Sequence, residues 1–188
     1  GGYISMEFAH VVARCGRQVT VVDRNERVLS GFDPDLVDIL TQYSRERDID
    51  VRLGREVNAV RESDGLQVIL NDGSTIACDL VVHGAGRIPN LDDLDLAAAG
   101  IEHDKHGIQV NAFMQSVSNE AVFATGDCAN SGLPRLTPVA NEEARIVAKN
   151  LFAEELKVRP DYGFVPKVAF TIPAIASVGK SEAQAQEA

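Results

Sequence analysis

The residues in this sequence that could do chemistry are glycines, small hydroxyls and carboxylates at set spacings. Together they suit phosphates and sugar hydroxyls better than a nucleophilic centre. Gly1-Gly2-Tyr3-Ile4-Ser5-Met6-Glu7 holds the last five positions of a GxGxxG/A fingerprint. Gly2 fits the second glycine, where a missing side chain lets a pyrophosphate approach the backbone. Ser5 fits the third, where a small residue lets helix and strand pack closely. A helix opening there offers free N–H groups and the positive end of its dipole, although any amphipathic helix behind a Gly-Gly turn would look similar. Asp23 closes the next apolar run, about 20 residues on, where an acid accepts hydrogen bonds from the ribose of an adenosine and repels a 2′-phosphate. A surface acid ending a strand is the plainer alternative. Arg24 and Arg27 could instead hold a 2′-phosphate. NAD and NADP therefore both stay open, with Asp23 favouring NAD.

A second group lies further along. Thr125-Gly126-Asp127 follows the apolar run AVFA, residues 121–124. A carboxylate behind a glycine at the end of a buried strand suits a polyol hydroxyl, and would equally serve as a turn or N-cap. Leu136-Thr137-Pro138-Val139-Ala140 opens a helix nine residues past that acid. Thr137 reads as N-cap with Pro138 at the first helical position, and such a helix end would stabilise a negatively charged ring set before it. His10, His83, His103 and His106 lack metal-ligand spacing, and Asp92, Asp93 and Asp95 read as a solvated loop. Cys15, Cys78 and Cys128 form no CxxC or CxxxxC pair, so no metal knuckle or redox dithiol is legible, and reduced thiols in a cytoplasm are expected.

The elements that must position these groups follow from periodicity. Residues 1–15 are a Gly-rich turn feeding a helix, with Ile4, Phe8, Val11 and Val12 at helical spacing and Gly16 as its stop. Residues 18–23 (QVTVVD) form a buried parallel strand. Asp33-Pro34 starts a helix to about residue 47, and residues 50–53 (DVRL) form the next strand. Residues 57–61, 66–70 and 74–78 are short strands separated by Asp64-Gly65 and Asn71-Asp72-Gly73, an antiparallel meander. Residues 79–83 (DLVVH) return as a buried strand ahead of the loop GAGRIPN. Residues 108–110 and 121–124 are strands. Residues 138–152 form a helix with Val139, Ala144, Val147, Ala148 and Leu151 on its apolar face. Residues 154–163 are a linker, 167–171 a strand, and the tail after Lys180 is poorly ordered.

The fold class is thus α/β: a Rossmann-like nucleotide-binding domain with a parallel sheet and an antiparallel meander, then other segments. The chain has 188 residues, 45% hydrophobic and 24% charged, enough for one or two ordinary globular domains. A net charge of −10 argues against nucleic acid or an anionic membrane as main partner, and no apolar run nears the ~18 residues of a membrane span. The chain lacks an initial Met and opens inside a glycine motif, so it is expected to be an internal piece of a longer protein.

Four spaced motifs, GGYISMEFA, GAGRIPN, VFATGDCANSGLPRLTPVA and FTIPAIASVG, give the chain a resemblance over essentially its whole length. It resembles the class I pyridine nucleotide–disulfide oxidoreductases, the group of glutathione reductase, dihydrolipoamide dehydrogenase and mercuric reductase. The resemblance implies residues 1–86 as the NAD(P)-binding domain without its first strand, 87–156 as an FAD-binding segment, and 157–188 as linker and start of an α+β dimerisation domain. It implies FAD and NAD as cofactors, NADP being possible, with hydride passing from nicotinamide to FAD and two electrons onward to a disulfide. Gly2 and Ser5 would lie under the nicotinamide cofactor's pyrophosphate. Tyr3 would cover the nicotinamide pocket, and Glu7 would lie near the flavin and pair with a lysine of the FAD domain. Asp23 and Arg24 would meet the adenosine end, Val57 the adenine side, and Gly86 and Arg87 the cofactor backbone. Asp127 would bind a ribityl hydroxyl, and Thr137 with its helix would face the flavin pyrimidine. LTPVA is more like glutathione reductases, whereas an acid at Asp23 is more like dihydrolipoamide dehydrogenases, so no substrate follows.

The family's redox CxxxxC and its terminal His-Glu pair belong to segments outside this chain, and no catalytic residue is assigned. The expectation is a cytoplasmic homodimeric enzyme acting on a small-molecule disulfide or another electron acceptor, the fragment alone being inactive. Two other readings remain: a flavoprotein NAD(P)H:acceptor reductase without disulfide chemistry, and, for the isolated chain, a dinucleotide-binding module without turnover.

Overall fold

The computed structural model describes residues 1–155 and 158–187. The chain divides into two compact units, one made of Gly1–Gly86 together with the chain from Val168 on, the other of Arg87–Lys167. The boundary expected between residues 156 and 157 lies outside the described residues.

In the first unit, α1 (Tyr3–Arg14) ends where Gly16 takes φ +73, the left-handed conformation that favours glycine. β1 (Val19–Val22) and β2 (Ile49–Arg52) pair in parallel, Val19 opposite Ile49 and Val22 opposite Arg52. α2 (Pro34–Arg45) makes the crossover between them. Met6 and Ala9 of α1, Val21, Val28, Phe32, Val37, Leu40, Ile49 and Val51 form one buried cluster. Each large member contributes roughly 1.5–3 kcal/mol of burial. Asp33 precedes α2 as expected, but its carboxylate makes no cap bond within that helix.

The meander is β3 (Val57–Ser63), β4 (Gly65–Leu70) and β5 (Thr75–Cys78), all antiparallel neighbours. Gly65 at φ +96 and Gly73 at φ +82 turn its hairpins. Residues 79–83 are not the buried strand expected. They pair with no strand among the described residues, and Leu80 is 68% exposed. A parallel strand is buried only when a neighbour supplies its ladder partners, and an apolar run without that neighbour stays open.

In the second unit, β6 (His103–Asp104) is antiparallel to β7 (Gly107–Gln109), which is parallel to β8 (Ala129–Asn130). Residues 121–124, expected as a strand, contribute one bridge from Phe123 to Gln115. The side chains of Asn111 and Asn119 accept from the backbone N–H groups of Phe113, Gln115 and Ala121, and such local bonds compete with a ladder. α3 (Thr137–Asn150) buries Val139, Glu143, Ile146 and Asn150. That stripe differs from the expected one: Ala144, Ala148 and Leu151 are exposed. Ile146 packs with Leu91, Leu96, Ile101, Ile108, Met114, Ala124 and Ala129.

The chain then returns to the first unit. β9 (Lys167–Ala169) pairs with β10 (Ile175–Ser177), and Ala169 and Ile175 join the first cluster. Three side chains of the first unit accept backbone N–H groups from this segment. Glu7 Oε1 takes Phe170 at 2.8 Å, His10 Nδ1 takes Ile172 at 3.2 Å, and Asp33 Oδ1 takes Glu182 at 3.1 Å. The tail is not structureless: α4 (Glu182–Gln186) carries a reciprocal capping box between Ser181 and Gln184.

Candidate functional site

Each unit gathers part of the expected site. In the first, the Gly1-Gly2 turn and Asp23 come together. The Gly1 nitrogen lies 2.7 Å from Asp23 Oδ2, and a Cβ on Gly1 would run into that carboxylate and into Val28. Asp23 Oδ1 accepts the Asn25 N–H at 2.7 Å. Burial raises this carboxyl's pKa, and the α-amino group with which this chain begins at Gly1, together with the Asn25 N–H, brings it below the ordinary carboxylate range. The backbone around the acid is tied to the end of β2. Asp23 N–H donates to Arg52, Arg55 N–H to Asp23, and Gly54 N–H to Asn25. Asp23 is thus fixed at the C-terminal edge of a parallel strand.

Gly2 precedes α1 in extended backbone, with nothing within 4 Å of where its Cβ would stand. The first bond within the helix runs from Met6 N–H to the Gly2 carbonyl, and no side chain caps the end. The N–H groups of Tyr3, Ile4 and Ser5 are therefore left without intrahelical acceptors. An open backbone face, three donors and a helix dipole fit a pyrophosphate, with Asp23 at ribose distance from the turn in such folds. Ser5 packs against Gly84, its Oγ donating to the Gly84 carbonyl at 3.3 Å, and any Cβ on Gly84 would collide with it.

The remaining residues of the first unit are distributed around this turn. Tyr3 leans on Phe32 with ring centroids 5.6 Å apart, and burial, then the Glu7 charge, raises its phenol pKa. Glu7 is occupied with the backbone of Phe170. Arg24 is exposed and has no ion-pair partner among the described residues. Arg27 is engaged instead in a two-pronged bond to Asp38, at 2.9 and 3.1 Å. Val57 starts β3 opposite Leu70, two residues beyond Arg55. Gly86 has φ +125, a backbone that side chains rarely adopt, with open space around it.

In the second unit, Gly126-Asp127-Cys128 is a single tight turn lying against α3. Gly126 at φ +64 approaches Ala140 so closely that a Cβ would stand 3.0 Å from the Ala140 Cβ. Asp127 points outward, its side chain 52% exposed, with Arg87 Nε 3.9 Å away. Such an exposed pair contributes little to stability and leaves the carboxylate available. Arg135 braces the same region, donating to the carbonyls of Arg87 at 2.6 Å and His106 at 3.2 Å. Thr137 is the first residue of α3 and Leu136 its N-cap, one position earlier than the sequence pattern placed it. The first helical bond is Ala140 to Leu136. Pro138 has no N–H, so Thr137 and Val139 present the free donors of this end. An outward carboxylate beside an uncapped helix start fits a polyol chain next to an electron-poor ring.

Sequence reasoning missed Glu143, which is fully buried (0% exposed) and accepts the Gly126 N–H at 2.6 Å and the Tyr162 hydroxyl at 3.0 Å. The available signal was an acid three residues before Ile146 and four after Val139, in the buried stripe of α3. It also missed His10, 3% exposed, whose Nε2 meets Ser44 Oγ at 3.0 Å while Nδ1 holds Ile172. Among the described residues no group of three or more His, Cys, Asp or Glu could hold a metal, and no helix is long and apolar enough to cross a membrane.

Residues 1–144 match the family model described as pyridine nucleotide-disulphide oxidoreductase. The chain is 36% identical over 189 residues to a glutathione reductase of Burkholderia cepacia, covering 100% of the chain and 41% of that protein. It is 35% identical to a mycothione reductase of Mycobacterium tuberculosis, covering 98% and 40%. The solved structure of the HOCl-induced flavoprotein disulfide reductase RclA from Escherichia coli superposes with a TM-score of 0.87 at 27% identity, over 100% of this chain and 42% of that one. The chain therefore spans about two fifths of the length of these relatives.

Proposed function

This chain belongs to the pyridine nucleotide-disulphide oxidoreductase family, and from that premise we propose that the whole protein is an FAD-dependent, NAD(P)H-using reductase of a small-molecule disulfide. FAD supplies the relay that accepts a hydride from the nicotinamide and passes two electrons on. The family uses FAD and NAD(P)H, and the named relatives are reductases of glutathione and mycothione type. The observation that carries the reading is the Gly1-Gly2 turn packed so closely on Asp23 that a Cβ on Gly1 would run into its carboxylate, ahead of an uncapped helix.

In this reading Gly2 and the free N–H groups of Tyr3, Ile4 and Ser5 hold the nicotinamide cofactor's pyrophosphate. Asp23 holds the adenosine ribose, with Val57 and Gly86 along the same cofactor. Tyr3 closes over the nicotinamide end, and Glu7 fixes the Phe170 backbone beside it. Asp127 binds the ribityl chain of FAD, and Thr137 with the start of α3 faces the flavin. NAD is the preferred cofactor, because Asp23 stands directly after β1, where an acid accepts the ribose hydroxyls and repels a 2′-phosphate, and Arg27 is committed to Asp38. Arg24 remains as the group through which NADP could be admitted. Residues 1–86 serve as the NAD(P)-binding domain, 87–156 as part of the FAD-binding domain and 157–188 as the entry to a dimerisation domain. The intact protein works as a homodimer in a reducing cytoplasm, in keeping with three cysteines that are all unpaired.

The test is spectroscopic. The intact protein, purified, should be yellow, and NADH should bleach its flavin band anaerobically before any disulfide is added. A colourless protein, or a flavin band indifferent to both NADH and NADPH, overturns the proposal.

A further inference from the structure

α3 places a fully buried carboxylate beside the turn assigned to FAD. Glu143 has two donors, the Gly126 N–H at 2.6 Å and the Tyr162 hydroxyl at 3.0 Å. Tyr162 is kept protonated, its phenol pKa raised by burial and then by the Glu143 charge. The other side of Gly126 is fixed as well, since its carbonyl accepts the Ala129 N–H. Burying a carboxylate costs several kcal/mol, and an apolar side chain of similar volume would usually serve packing better. What an apolar side chain cannot do is hold a glycine N–H while that glycine is in the left-handed conformation, φ +64. The geometry is thus directed at the turn rather than at the stability of α3.

From this we infer that Glu143, held by Tyr162, is a positioning residue that sets the Gly126-Asp127 turn so that Asp127 points outward to the ribityl chain of FAD. The inference rests on the flavin reading above. Glu143 touches neither FAD nor substrate; it acts through the Gly126 N–H.

The experiment uses the intact protein stripped of flavin and titrated with FAD by fluorescence quenching. Amide hydrogen exchange over residues 125–129 and NADH binding are followed beside it. Glu143→Leu should weaken FAD binding by about tenfold or more, the loss of a charge-assisted bond to a half-buried N–H. It should speed exchange at the turn and leave NADH affinity within about twofold, a factor too small to reflect a lost contact. Glu143→Gln retains an acceptor for Gly126 and should restore most of the affinity. Tyr162→Phe removes only the second donor and should fall between them. FAD affinity and turn exchange unchanged in Glu143→Leu would overturn the inference. So would equal losses in the Leu and Gln variants, or a parallel loss of NADH binding. If Glu143→Leu does not fold, the Gln and Phe variants decide: an unaltered FAD affinity and turn exchange in Tyr162→Phe counts against the inference, and a graded loss supports it. An unmutated protein that binds no FAD fails the flavin reading itself, a result distinct from these.

Discussion

Replacing His10 tests whether the returning segment is held by the first unit as described. His10 is 3% exposed, accepts the Ile172 N–H on Nδ1 at 3.2 Å and meets Ser44 Oγ through Nε2 at 3.0 Å. Ser44 Oγ in turn donates to the Leu40 carbonyl at 2.7 Å, so Nε2 is the protonated nitrogen of a neutral ring. His10→Ala leaves the Ile172 N–H without an acceptor, about 1–3 kcal/mol, and opens a cavity worth about 2 kcal/mol at the low end of large-to-Ala changes. Together these come to about 3–5 kcal/mol. His10→Asn can place its amide oxygen where Nδ1 stood. It loses the Ser44 contact while Ser44 keeps Leu40, and should cost roughly 1 kcal/mol. The pH dependence has a definite sign. Burial lowers the imidazole pKa below its ordinary value of 6.5, and protonating Nδ1 would also break the Ile172 bond. Above pH 6.5 both folded and unfolded states are neutral and the group has no effect. As pH falls below 6.5 the unfolded chain takes up a proton that the folded one resists, so stability declines. Urea unfolding followed by far-UV circular dichroism, with hydrogen exchange over residues 168–177, measures both effects. The reasoning is refuted if the Ala and Asn variants are equally stable, or if the wild type and the Asn variant show the same pH slope between 7.5 and 5.

Three further outcomes are expected. Asp23→Ala in the intact protein should lower NADH affinity by about tenfold and narrow the preference over NADPH; paired affinity titrations check this, and tighter NADPH binding by the unmutated protein would instead give control to Arg24. Gly84→Ala should destabilise the first unit by about 1–3 kcal/mol, the cost of overpacking against Ser5. Adding Ser5→Gly should recover part of that loss in the same denaturation assay, whereas strict additivity would show the two positions to be independent. The isolated 188-residue chain should reduce no disulfide, and measurable NADH-dependent thiol release from it would contradict that expectation.

Where local chemistry decides structure, the sequence was a good guide. Asp33-Pro34 opens α2, Gly16 closes α1, and Asp64-Gly65 turns the meander, because each depends on its own backbone preferences. The Gly1-Gly2 turn likewise precedes α1, and Asp23 directly follows β1. What failed depended on partners. Residues 79–83 have strand composition but pair with no strand among the described residues, and composition does not say whether a ladder partner is present. The buried face of α3 was misread because an apolar count excludes Glu143 and Asn150, which are buried by virtue of their hydrogen bonds. His10 was passed over as a metal ligand without being considered as a bridge, since Ser44 and Ile172 lie 34 and 162 residues away.

The return of the chain to its first unit bears on biosynthesis. Ala169 and Ile175 belong to the same core as Met6 and Val21, so a ribosome that has delivered residues 1–86 has delivered an unfinished nucleus. Residues 168–177, which complete that core, follow only after the whole second unit. During that interval the nascent chain is exposed to aggregation and to chaperones. A proteolytic nick within the second unit would, by the same topology, leave two pieces joined only by non-covalent packing.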